Sequence, residues 1–314
     1  MSHYLVSGAA GFIGSHLTAR LLELGKSVRA LDNFSTGKRV NLAGCRGHGS
    51  FELLTGDLRD LETARQAVAG IDIVLHQAAI SSVPRSVADP LSSHQANATG
   101  TLNLLIAARD AGVRKLVYAS SSSIYGPTSE LPQRETMPPN PVSPYALSKF
   151  AGERYCQLFS QLYELPTVAL RYFNVFGPRQ DPASQYAAVI PRFIIALLSG
   201  RPPVIYGDGE QTRDFTYIAN VVEANLLAAQ AEISGEVLNI ACGEPVSLNA
   251  LLAQLEALLS IEITPEYTQS RPGDLRRSQA DIAKARDLIG YRPQVGFAEG
   301  LRRTLEYFQR EMKR

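Results

Sequence analysis

The sequence carries almost no net charge. Its 31 basic and 30 acidic residues leave +1 over 314 positions, and no run of like charge is long enough to form a tail. That balance offers no surface for a polyanion, so nucleic acid is not an expected partner. Cysteine is scarce. Cys45, Cys156 and Cys242 stand far apart, form no C-x-x-C pair and are odd in number, which is the usage of reduced thiols in a cytoplasmic protein. The five histidines (His3, His16, His48, His76 and His94) fall into no metal-ligand spacing, so no metal is expected. No apolar run approaches the roughly 18 residues of a membrane helix. Met1-Ser-His-Tyr4 passes directly into a strand pattern, without the basic and apolar regions of a signal peptide. Internal repeats and low-complexity segments are absent as well. What is present is a 45% hydrophobic chain, enough for one large core or two unequal lobes.

The first motif lies at the start. Tyr4-Leu-Val6 reads as a strand and leads into Gly8-Ala-Ala-Gly11-Phe-Ile-Gly14; a helix with Ile13, Leu17, Leu21 and Leu24 on one stripe follows and stops at Gly25. A second strand, Val28 to Leu31, ends in Asp32. Glycines that follow a strand and open a helix, with an acid about 20 residues on, make the context of a dinucleotide fingerprint. Gly8 and Gly11 allow a tight turn and close approach to a pyrophosphate, which the helix N-terminus attracts. Asp32 is placed to hold ribose hydroxyls and to repel a 2′-phosphate, favouring NAD over NADP. Phe51-Glu-Leu-Leu54 ends near Asp57, which is placed to reach an adenine. Ile71 to Leu75 leads into His76-Gln77-Ala78-Ala79, small residues that let the backbone run beneath a cofactor.

A helix over about 94–112, a strand from Val113 to Ala119, a helix over about 145–164 and a strand from Thr167 to Arg171 continue the alternation. Strand and helix in turn imply a parallel sheet covered on both faces. Between them, Ser120-Ser-Ser-Ser123 sits at the carboxyl end of a strand, the edge where open α/β sheets bind ligands. Tyr145 and Lys149, four apart, share a helix face. A nearby ammonium lowers the pKa of a phenol, so the pair suits a general base at neutral pH, with a serine hydroxyl sharing the substrate hydroxyl. By itself Y-x-x-x-K is equally the start of an amphipathic helix.

After about residue 175 the pattern becomes mixed. Helices are expected near 187–199, 219–232, 247–259, 281–288 and 297–311, with short strands at 204–206, 237–240 and 263–267. The fold class is therefore α/β: a Rossmann-like doubly wound parallel sheet over residues 1–175 and a smaller mixed α/β C-terminal substrate lobe over 176–314, with some chain crossing back. Arg213, Arg271 and Asp274 fall in loops of that lobe. Two arginines suit a diphosphate and the acid a sugar hydroxyl, although surface ion pairs would use the same residues.

Taken together, Gly8-Ala-Ala-Gly-Phe-Ile-Gly14, Asp32-Asn33, Gly56-Asp57, Ser120–Ser123 before Tyr125-Gly126, Tyr145-x-x-x-Lys149, Arg171-Tyr-Phe-Asn174 and Arg271-Pro-Gly-Asp274 resemble the extended short-chain dehydrogenase/reductase family. Within it the chain is most similar to UDP-sugar 4-epimerases, and through Ser82-Val-Pro-Arg-Ser86 and Tyr186 to Pro191 to those acting on UDP-N-acetylglucosamine. The resemblance covers essentially the whole chain.

It implies a reversible NAD-dependent epimerase in which Tyr145 is the base, Lys149 tunes it and Ser121 assists. It assigns Gly8, Gly11, Phe12, Ile13, Gly14, Asp32, Asn33, Ser35, Gly37, Asp57, Leu58, Gln77, Ala78, Ala79 and Tyr172 to NAD. It assigns Ser81, Ser82, Ser122, Ser123, Asn174, Ala188, Val189, Tyr206, Arg213, Arg271, Asp274 and Ser278 to the UDP-sugar. Dehydratases and decarboxylases of the family carry acids where this chain has Ser122 and Ser123, which favours epimerisation. Ser278 is small where a tyrosine would crowd out an N-acetyl group. Ser81 departs from the lysine of glucose-type epimerases, which bears on one phosphate contact. The resemblance further implies a homodimer paired through the helices at 94–112 and 145–164. Epimerases restricted to UDP-Glc/UDP-Gal or to a UDP-uronic acid, and a non-catalytic NAD-binding regulator, are the alternatives.

Overall fold

The computed structural model describes residues 2–182, 188–270 and 276–313. Arg271, Asp274 and Tyr186 lie outside the described residues.

The first half alternates strands and helices: β1 (His3–Ser7), α1 (Phe12–Glu23), β2 (Ser27–Asp32), β3 (Phe51–Thr55), α2 (Leu61–Val68), β4 (Ile73–His76), α3 (Val83–Ala88), α4 (Pro90–His94), α5 (Gly100–Asp110), β5 (Lys115–Ser121), α6 (Pro144–Tyr163) and β6 (Thr167–Tyr172). Every residue of β4, β5 and β6 is buried. Such unbroken burial is what a parallel sheet covered on both faces requires. The strands run parallel in the order Glu236–Ile240, β6, β5, β4, β1, β2, β3. On one face α2, α5 and α6 pack side by side; on the other lie α1 and the helix Ile218–Gln230.

The order of connection reverses between β1 and β4, and register pairs Ser7 with His76 there. That reversal opens the crevice in which doubly wound sheets bind ligands. It brings the glycine turn after β1 and the 76–79 segment after β4 to one edge.

The strand Glu236–Ile240, read from the sequence as part of the second lobe, lies against β6 in the large sheet. Residues 218–240 therefore return to the first layer. Among the described residues the smaller lobe holds three short pairings: Val175–Phe176 with Thr216–Tyr217, Thr212–Asp214 with Pro245–Ser247, and Val204–Tyr206 with Glu266–Thr268. It shares its apolar core with one face of the sheet, where Leu17, Leu21, Val221 and Leu226 join one cluster with Leu251, Phe297, Leu301 and Phe308. The helix expected over 94–112 departs from regularity. Between α4 and α5 it widens into a π turn at Gln95–Thr99, the kind of bulge that accompanies functional sites.

Helix α6 starts where its sequence dictates. Ser143 accepts a bond from Ala146 N, and Pro144 takes the first helical position, where its missing N–H costs nothing. Its buried side includes Ala146, Lys149, Gly152, Glu153, Cys156 and Phe159, at three- and four-residue spacing. The fit against β5 is tight. A Cβ on Gly152 would lie 2.3 Å from the Tyr118 hydroxyl oxygen, and Tyr118 is itself fully buried. Gly152→Ala is thus predicted to destabilise the fold by about 1–3 kcal/mol through overpacking. Chemical denaturation measures this directly, and an unchanged midpoint would mean that the helix has slack at this point.

Candidate active site

At the β1 end of the crevice, Gly8 has φ +67°, and a Cβ there would lie 2.7 Å from the Ala78 backbone. Only glycine meets both conditions. Helix α1 begins after Gly11 with no side-chain cap. Its first-turn amides, those of Phe12 and Ile13 among them, therefore have no side-chain acceptor and are suited to an anion. At Gly37 a Cβ would sit 2.9 Å from both Ala10 Cβ and Asp32 Oδ1. Asp32 is buried at the end of β2 and accepts bonds from Ala10 N (2.8 Å) and Phe34 N (2.7 Å), so it also braces the glycine turn. Burial raises its pKa against those two bonds. Asn33 bonds Asp57 Oδ2 at 2.8 Å and accepts from Ser35 N at 2.9 Å. The Arg59 guanidinium on Asp57 holds that carboxyl down at about 2. Leu58 is buried behind Asp57. A glycine cradle with no room for a Cβ, an uncapped helix start and a carboxylate at the strand end fit a dinucleotide.

On the β4 side, Ala78 N donates to Ser7 Oγ at 3.3 Å. Gln77 closes a triangle with Tyr172 and Asn225: Tyr172 Oη to Gln77 Oε1 is 3.2 Å, Asn225 Nδ2 to Tyr172 Oη 2.8 Å and Gln77 Nε2 to Asn225 Oδ1 3.0 Å. His76 lies below, fully enclosed between Ser7 Oγ (2.7 Å) and Thr101 Oγ1 (2.9 Å). Burial pushes its pKa down to about 3, so it is neutral.

The serine run and α6 meet at the carboxyl end of β5. Ser121 lies near enough to the Tyr145 phenol to favour its ionisation, sits 2.8 Å from Ser123 Oγ and accepts from Ser123 N at 3.2 Å. Lys149 is 3% exposed and donates to Ala119 O at 2.7 Å. The electrostatics differ from the sequence expectation. Burial raises the pKa of Tyr145, partly offset by the nearby Ser121 hydroxyl, and no pull from Lys149 accompanies it. Burial also pushes Lys149 down to about 7. In the protein alone, removal from water opposes the charged form of both groups.

In the smaller lobe, Asn174, Ala188, Val189, Tyr206 and Arg213 line one cavity of about 230 Å³. Arg192 and Gln211 line it too; the Arg192 guanidinium lies 5.6 Å from the centre of the Tyr206 ring. Ser278 is 3% exposed, in a segment whose Arg276 O accepts from Thr212 N beside Arg213 and whose Ala280 N donates to Asp214. Ser81 is exposed, and Ser82 (φ 100°) spends its hydroxyl on capping α3. Ser122 lies in the short turn that opens just after Ser121.

Several residues of this architecture escaped sequence reasoning. Ser86 Oγ accepts from Tyr145 N at 3.0 Å. Asn97, in the π turn, bonds both backbone groups of Ile80 and donates to Ser148 Oγ. Glu153 and Asn225 are further cases. Glu153 and Asn225 are polar residues on mostly apolar helix stripes, a signal visible only once the stripe is known to be buried, whereas Ser86 is the one buried residue of α3 and carries no such signal.

A lysine whose folded pKa lies below its ordinary 10.5 costs stability in full below about 7. The cost fades as pH climbs from there to the ordinary value and vanishes above it. Lys149→Met is therefore predicted to raise the melting temperature of cofactor-free protein more at pH 6 than at pH 9. Paired thermal melts check this; an advantage that is flat or grows with pH would place the ammonium in water.

Residues 4–241 match the NAD dependent epimerase/dehydratase family. A UDP-glucose 4-epimerase of Mycolicibacterium smegmatis is 42% identical over 97% of this chain and 98% of its own. Among solved structures, a UDP-N-acetylglucosamine 4-epimerase from Methanobrevibacter ruminantium, in complex with UDP-N-acetylmuramic acid, superposes with TM-score 0.95 at 41% identity, covering 99% of both chains. A UDP-glucuronic acid 4-epimerase from Bacillus cereus, in complex with UDP-glucuronic acid and NAD, does so with TM-score 0.92 at 34% identity, over 98% of this chain and 99% of that one. With the glycine cradle and the Ser121–Tyr145–Lys149 cluster at one sheet edge, this chain belongs to the NAD dependent epimerase/dehydratase family.

Proposed function

We propose that this protein interconverts UDP-hexoses at C4 through a 4-keto intermediate, accepting the pair UDP-GlcNAc/UDP-GalNAc and also UDP-Glc/UDP-Gal. The observation that carries the reaction type is the gathering of Ser121, Tyr145 and Lys149 at the carboxyl end of β5, with serines and no acid in the turn that follows. An elimination or decarboxylation would need an acid in that turn.

NAD, when bound, supplies a hydride acceptor and donor for sugar C4, ends each cycle unchanged, and by its cationic ring favours the phenolate. Tyr145 takes the proton of the sugar 4-hydroxyl and Ser121 shares it. Lys149, which burial pushes down to about 7, lies one helical turn from Tyr145 and is placed to take part in its proton transfer. Arg213, with Arg271 from outside the described residues, holds the diphosphate while the keto sugar turns to present its other face. Acceptance of the N-acetyl group rests on Ser278, a small buried residue beside the strand that carries Arg213. The proposal includes a homodimer through α5 and α6, supported by Leu147, Leu158 and Leu162, which α6 leaves exposed.

Tyr145→Phe is predicted to lower kcat by about 10²- to 10⁴-fold with little change in UDP-sugar affinity. Near-normal turnover of the variant would remove Tyr145 from the scheme. Ser278→Tyr is predicted to abolish turnover of UDP-GlcNAc and UDP-GalNAc while sparing UDP-Glc and UDP-Gal. Chromatography of products from the separate incubations reads both, and equal losses on the two pairs would refute the size criterion. UDP-glucuronic acid belongs in the same panel, and preferential turnover of it would replace the substrate assignment.

A further inference from the structure

Tyr145, Lys149 and Glu153 recur every four residues and so lie along one stripe of α6. The first two belong to the catalytic cluster; the third does not reach it. Glu153 points instead into the sheet and is 2% exposed. Its Oε2 accepts from Ser120 Oγ at 2.7 Å and from Arg171 Nε at 2.9 Å, and its Oε1 accepts from Arg171 Nη2 at 2.6 Å. Ser120 and Arg171 are register partners on β5 and β6. The next pair along the strands is Ser121 with Tyr172. One carboxylate thus grips the two strands one residue short of the two site residues they deliver. The guanidinium also lies 4.6 Å from the centre of the Tyr125 ring, and Tyr125 Oη donates to Asn239 in the neighbouring strand.

Stability is a poor reason for this arrangement. Burying two charges carries a desolvation cost that their attraction only roughly repays, and apolar replacements are often neutral. A bidentate fork, by contrast, fixes direction as well as distance. Helix α6 rises 1.5 Å and turns by about 100° per residue. A small slip or rotation at Glu153 would therefore carry Tyr145 away from Ser121. Reactive geometries tolerate little of this, and a displacement near 1 Å can cost on the order of a hundredfold in rate.

We propose that Glu153 is a positioning residue for C4 epimerisation, its fork to Ser120 and Arg171 setting the height and rotation of α6 so that the Tyr145 phenol meets Ser121. The proposal rests on the 4-epimerase reading. Two variants test it. Ser120→Ala removes one arm and leaves the ion pair intact. Glu153→Leu combined with Arg171→Met removes both charges and keeps apolar volume. Each is compared with wild type for kcat, KM, the pH profile of kcat, melting temperature and hydrogen exchange of the 145–149 amides.

The expected result for Ser120→Ala is a fall in kcat on the order of tenfold, with KM within about twofold, a kcat profile whose ascending limb moves to higher pH, and faster exchange at 145–149. The double variant should melt within a few degrees of wild type and lose at least as much kcat. Wild-type kcat and an unmoved pH profile in Ser120→Ala would overturn the proposal. So would a loss of kcat no larger than the loss of folded protein. If the double variant does not fold, Ser120→Ala alone decides. A wild-type protein that turns over no UDP-sugar would refute the epimerase reading instead, and the exchange measurement still reports on the clamp.

Discussion

The seating of α6 against the carboxyl ends of β5 and β6 is the constraint on which the site depends. The helix approaches so closely that Gly152 has no room for a methyl group against Tyr118. That closeness excludes water, and the exclusion sets the chemistry. It pushes Lys149 to about 7 and raises the Tyr145 phenol, with the nearby Ser121 hydroxyl acting in the opposite direction. The same dry contact makes Glu153 and Arg171 worthwhile, because a directional pair is strongest and most exacting where no water competes.

The second organising feature is the return of the chain. The helix Ile218–Gln230 and the strand Glu236–Ile240 leave the smaller lobe and complete the large sheet, so the two lobes share one core. Through that return Asn225 reaches Gln77 and Tyr172. The segment after β6 makes a second tie to α1, with Arg179 donating to Ser15 O and Pro178 O bonded to His16. Residues on either side of the crevice are thereby held by both lobes, as the proposed reaction requires.

Much of this was legible in the chain. The glycine turn, the acid at the end of β2 and the Tyr145–Lys149 spacing are local patterns, and each follows from a strand or helix period that the sequence displays directly. The cavity that gathers Asn174, Ala188, Val189, Tyr206 and Arg213 draws on residues spread over some forty positions, and it was reachable only through family likeness. Asn97, Ser86, Asn225 and Glu153 were missed because a polar residue in a helix carries no label for the distant group it will meet.

By itself the sequence determined the parallel alternation, the place of the glycine turn and the shared face of Tyr145 and Lys149, since these depend on contacts within a few residues. Only the tertiary structure decided that Glu236–Ile240 would border β6, that Glu153 would lock Ser120 to Arg171, and that burial would reverse the expected shift of the phenol. Those outcomes depend on which surfaces exclude water together, a property of the packed molecule that no single segment carries.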